Sequence, residues 1–187
     1  MTSEKSFLEP NMLRNIVVTF AASALAFASP ASAEIIEYQA KLDGQSATID
    51  TGSAARASAM ITVDTISKTV ALRLNVIGLS VDSLSDALVE APVGPIHFHQ
   101  YANGDLADAG NSALAFPIAF GPSYQPTRDG FQVQTGALDY ASAVAPLGQG
   151  MSFTDFVAAL ENGTVILNIH TDAFSAGEIN GVIAKAS

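Results

Sequence analysis

The stretch ASAMITVDTISKTVALRLNVIGL, residues 57–79, decides the fold class. Its two ends, ASAMITVD (57–64) and TVALRLNVIGL (69–79), place apolar side chains at every second position, the period of a half-buried strand. In the second run Val70, Leu72, Leu74 and Val76 share one face, with Arg73 and Asn75 opposite. The residues between, TISK, form a turn short enough to return the chain directly, so the two runs read as an antiparallel hairpin.

The same pattern extends in both directions. EIIEYQAKL (34–42) alternates through Ile36, Tyr38, Ala40 and Leu42. PIHFHQY (95–101), SALAFPIAF (112–120), GFQVQTGAL (130–138), TVILNIH (164–170) and EINGVIA (178–184) read as further strands. About eight short strands punctuated by Gly, Pro, Asn and Asp predict an all-β fold, an antiparallel, Greek-key-like β-sandwich or barrel. One segment breaks the pattern. SFTDFVAALENG (152–163) sets Phe153, Phe156, Val157 and Leu160 at helical spacing, with Ser152 as N-cap, Asp155 at the third helical position and Gly163 as the stop. It predicts one short helix near the C-terminus, packing its apolar stripe on the core. The stretches 103–111 and 121–130 read as loops.

Length and composition bound the function. Of the 187 residues, 34–187 suffice for a single domain. MLRNIVVTFAASALAFASPASA (12–33) has a basic Arg14, an apolar run from Ile16 to Ala28 and a small-x-small ending at Ala33. This is the layout of a secretory signal peptide, so residues 1–33 are expected to be removed on export, with Met12 as an alternative start. The apolar run is shorter than the roughly 20 residues that span a bilayer. Residues 1–33 carry Glu4, Glu9, Lys5 and Arg14, so the remainder keeps the whole net charge of −10. Such an acidic surface disfavours nucleic acid and anionic membranes as partners. What remains is a metal ion or another exported protein. The absence of cysteine excludes disulfides, thiolate ligands and a thiol nucleophile. Periplasmic or secreted localisation is the expectation.

Chemistry concentrates on the three histidines, His97, His99 and His170. Residues two apart on a strand project to one face about 6.6 Å apart, so His97 and His99 form a two-tooth chelate for an ion held at about 2.0–2.1 Å. His170 ends its own strand just before a loop, a position comparable to that of the pair. If the two strand ends are neighbours, three imidazoles meet at one site. The competing reading is three separate structural histidines, or a pH-sensitive cluster without metal. Glu178 is a candidate fourth ligand or an acceptor that orients an imidazole N–H. Asp172 reads as a turn carboxylate, and Tyr101 and Asn168 are expected to turn away from the neighbouring histidines. Asn103, Asp105, Asp108 and Asn111 lack the register of a calcium loop.

Four stretches together resemble the CHRD domain, found in chordin and in exported bacterial proteins: LNVIGLS (74–80), GPIHFHQ (94–100), FTDFVAALENGTVILNIHT (153–171) and AGEINGVI (176–183). They follow the family's order. Gln100 stands where the family has glycine after the second histidine, and Asn180 where it has arginine. The resemblance implies a β-sandwich, distantly similar to that of Cu/Zn superoxide dismutase, whose H-x-H strand binds copper. Here only His170 follows the H-x-H, so the zinc half of a dismutase site cannot be assembled from histidine. A redox enzyme of dismutase type is therefore the least supported reading. A single Cu or Zn site held by His97, His99 and His170, with Glu178, is the first, and a non-catalytic structural or protein-binding module the second. No recognisable nucleophile or general base is present, and the sequence leans against enzymatic activity.

Overall fold

The hairpin forms as the alternation requires. In a computed structural model, which describes residues 34–45, 50–106, 108, 112–148 and 150–187, β2 (Arg56–Asp64) pairs antiparallel with β3 (Thr69–Ile77) from Arg56↔Ile77 to Asp64↔Thr69. Asp64 Oδ1 holds the turn by accepting from the backbone N–H groups of Ile66 and Ser67 at 2.9 and 3.0 Å. Lys68, with φ of 54°, swings the chain into β3. β1 (Ile35–Asp43) lies along the other side of β2, from Ile35↔Asp64 to Asp43↔Arg56. The period of two then buries Tyr38, Leu42, Ile61, Val63, Val70, Leu72 and Val76 on one side. The expected signal peptide, residues 1–33, lies outside the described residues.

The later strands complete an antiparallel sheet. β4 (Ile96–Tyr101), β5 (Ser112–Ile118), β6 (Tyr124–Pro126), β7 (Gly130–Gln134), β8 (Leu138–Asp139), β9 (Val165–Ile169), β10 (Ile179–Val182) and β11 (Ala184–Lys185) join the first three in the order β5-β4-β9-β10-β1-β2-β3-β7-β6. β11 pairs with β1, and β8 with β3. The expected all-β antiparallel architecture is present, built as one sheet that curls so that β1–β3 and β4–β9 line a common core.

The helix falls where its caps place it. α3 (Phe153–Glu161) starts at Ser152, whose Oγ accepts from the Asp155 backbone N–H at 3.1 Å and donates to Asp155 Oδ2 at 2.7 Å. Its buried face carries Phe156, Ala159 and Leu160. Phe156 meets Phe98 and Phe116, with ring centroids 6.1 and 5.8 Å away, and Tyr140 joins them at 5.1 Å from Phe156.

The departures from the sequence reading are short elements. α1 (Asp86–Val89), α2 (Tyr140–Val144) and β6 were not anticipated, because three to five residues are too few to display a period. The strand read over 130–138 divides into β7 and β8 around Gly136, at φ 66°. That read over 178–184 divides at Ile183 into β10 and β11. No helix among the described residues is long and apolar enough to cross a membrane.

Phe116 is fully buried at the centre of the aromatic cluster, so Phe116→Ala should cost about 3–5 kcal/mol in urea denaturation. Ser152→Ala removes only the cap of α3 and should cost about 1 kcal/mol by the same measurement.

Candidate metal centre

Strand pairing assembles the histidines. β4 is an interior strand, hydrogen-bonded along one edge to β5 and along the other to β9. Ile96 and Phe98 enter the apolar core, which turns His97 and His99 to the opposite face. β9 runs antiparallel to β4 in the register Ile96↔Ile169, His97↔Asn168, Phe98↔Leu167 and His99↔Ile166. Residues directly across a sheet share a face, so Asn168 lies on the side of His97. His170, two residues further on, returns to that side. Its backbone N–H donates to Pro95 O at 2.9 Å, which seats the end of β9 beside the start of β4.

The three imidazoles converge. Ring centroids are 4.4 Å apart for His97 and His170, which stack, 4.7 Å for His97 and His99, and 6.1 Å for His99 and His170. One ligand atom from each lies within 4.8 Å of the other two. Two nitrogens on a tetrahedral ion at about 2.1 Å stand ~3.4 Å apart, so the widest pair would have to draw together by up to about 1.4 Å to close the set. His97 and His170 are 5% and 6% exposed, and His99 is half-buried.

Hydrogen bonds select the tautomers. His97 Nδ1–H donates to Gly94 O at 2.9 Å, and His170 Nδ1–H donates to Ser175 O at 2.8 Å. A carbonyl oxygen only accepts, so in both neutral rings the lone pair is on Nε2. Burial depresses all three pKa values. That of His97 falls to about 3, with the nearby His170 and His99 adding to the effect, and that of His99 to about 4, with His170 adding. His170 is lowered by burial too, against the opposing pull of its bond to Ser175. All three rings are neutral at pH 7. His170 Nε2, His99 Nδ1 and Asn168 Oδ1 are buried without a hydrogen-bond partner. Buried polar atoms without partners are costly, and a bound cation would satisfy the lone pairs of His170 Nε2 and Asn168 Oδ1, and that of His99 in its Nε2–H tautomer. Neutral imidazoles with free lone pairs are also the form that copper and zinc take. The residues therefore fit such an ion.

The other candidates are placed differently. Glu178 does not belong to the converging group. Its Oε1 accepts from Ser53 Oγ at 2.7 Å and its Oε2 from Thr171 Oγ1 at 2.6 Å, so both oxygens of this largely buried carboxylate are held by hydroxyls. Asp172 Oδ1 accepts from the Asp86 backbone N–H at 3.0 Å at the start of α1. Asn103 and Asp108 form part of an exposed turn, joined at 3.4 Å, while Asn111 lies outside the described residues. Asn168 corrects the expectation that it turns away: a spacing of two before His170 returns it to the same face, and the register confirms this. That spacing was the available signal. Ser53 and Thr171 carried none, because their role appears only once distant segments meet.

A family model described as the CHRD domain matches residues 38–183 of this chain. No curated protein and no solved structure matches it.

The depressed histidine pKa values set a pH dependence. The unfolded chain protonates its histidines near pH 6.5, whereas the native rings of His97 and His99 stay neutral down to about 3 and 4. Between these limits the unfolded state binds more protons, so stability is full above about pH 6.5 and falls as the pH drops through the window. In metal-free buffer, the urea midpoint should fall more steeply from pH 7 to 4.5 for the wild type than for His97→Gln, since their carboxylate titrations are shared.

Proposed function

The chain belongs to the CHRD domain family, and on that premise we propose that it is an exported protein that binds one ion, copper or zinc, through His97, His99 and His170. The observation that carries this reading is the convergence of all the histidines of the chain on one buried point, with unpartnered ring nitrogens. Fold alone does not set chemistry, so the weight rests on the site. The backbone carbonyls of Gly94 and Ser175 orient His97 and His170 from behind, an arrangement that fixes imidazole ligands in metal sites. The leader-like layout of residues 12–33 supports export.

A second reading is favoured by the same two hydrogen bonds. His97 and His170 tie the start of β4 and the loop after β9 to their strands, which suits a structural or protein-binding module without metal. A dismutase-type enzyme has less support, because no further histidine is available for a second ion.

Calorimetry with Cu(II), Zn(II) and, anaerobically, Cu(I) on untagged protein separates these readings. The metal reading expects one tight equivalent, lost in His97→Ala and in His170→Ala. Binding weaker than millimolar, or unaffected by both substitutions, would favour the module. An ion at a hundredfold excess over its Kd should also stabilise the fold by about 2.7 kcal/mol. Expression behind the native leader in a bacterium should yield a periplasmic protein whose mass corresponds to a chain beginning at Glu34.

A further inference from the structure

We propose that Asn168 supplies a fourth, neutral oxygen ligand to the ion, giving a site of three imidazoles and one amide that prefers a divalent cation; this rests on the metal reading of the three histidines. Asn168 is 3% exposed, and its Oδ1 meets no hydrogen-bond donor. Its orientation is set by chemistry. Nδ2 donates to Ala176 O at 3.2 Å, and a flipped amide would put two acceptors against each other. The residue stands directly across from His97 and two positions before His170, on the face both histidines use.

The surroundings offer that oxygen no hydrogen-bond donor. Gly177, at φ 113°, closes over the amide so tightly that a Cβ there would lie 2.1 Å from Oδ1 and 2.4 Å from Nδ2. A side chain at 177 is thereby excluded, and the backbone seals Asn168 from solvent. The carboxylates that might have been the fourth ligand are engaged elsewhere, Glu178 by Ser53 and Thr171 and Asp172 by the start of α1. Three nitrogens and one oxygen make the four-coordinate set that zinc takes. An amide oxygen is a hard donor, better suited to Zn(II) or Cu(II) than to Cu(I).

The test uses the full chain, freed of metal, with Zn(II), Co(II) and Cu(I) as probes. Asn168→Leu keeps the branched shape and removes the donor. It should weaken Zn(II) by at least about tenfold, change the visible d–d bands of the Co(II)-loaded protein, and leave Cu(I) affinity within about threefold. Asn168→Asp adds a charge at the same point and should tighten Zn(II). Wild-type Zn(II) affinity and an unaltered Co(II) spectrum in Asn168→Leu would overturn the assignment. Should Asn168→Leu fail to fold by circular dichroism, unchanged or weaker Zn(II) binding in a folded Asn168→Asp would overturn it instead. His97→Ala separates the two levels. If it too binds Zn(II) like the wild type, the histidine site itself fails; if it alone loses Zn(II), only the role of Asn168 does.

Discussion

The antiparallel pairing of β4 with β9 is the constraint on which the rest depends. Both strands are interior, so both edges of each are hydrogen-bonded within the sheet. Period two then divides β4 into an apolar side, Ile96 and Phe98, and an imidazole side, His97 and His99. The apolar side joins the aromatic cluster with Phe116 and Phe156. The imidazole side receives Asn168 and His170 from β9 and its end. Core packing and site geometry are thus two faces of one strand pair, and a change of register by one residue would exchange them.

Burial explains the electrostatic character of the site. Rings withdrawn from water resist protonation, and each like neighbour adds to that resistance. The two Nδ1 bonds to backbone carbonyls remove the remaining freedom of His97 and His170, since they settle tautomer and ring orientation together. What is left is three neutral rings with one ligand atom each within 4.8 Å of the others, His99 Nδ1 and His170 Nε2 being without an internal hydrogen-bond partner. That combination is suited to a cation and ill-suited to proton exchange at neutral pH.

The loop from Thr171 to Glu178 is held to this face by several anchors. Ser175 and Ala176 accept from His170 and Asn168, and Glu178 joins Thr171 to Ser53 of the segment before β2. Thr51 Oγ1 adds a bond to Glu178 O at 2.8 Å. The carboxylate read as a candidate ligand is bonded to hydroxyls of two loops and so fastens them together. Gly177 completes the closure because a backbone without Cβ is the only surface that fits against the Asn168 amide.

What the sequence by itself determined is local and periodic. Alternation in residues 57–79 and its repeats specified strands, their buried faces and an all-β antiparallel class, and the cap at Ser152 located the helix, because these follow from backbone geometry over a few residues. The H-x-H pair was legible for the same reason, as was the strand-end place of His170. Elements of three to five residues were not, having too little length to show a period. The tertiary structure alone decided that β4 and β9 are neighbours, although His170 follows His99 by 71 residues. It also decided that Glu178 bonds to Ser53, and that Asn168 is left with an unpartnered oxygen. These are pairings between distant segments, set by which strands share hydrogen bonds, and no residue pattern within either segment encodes its partner.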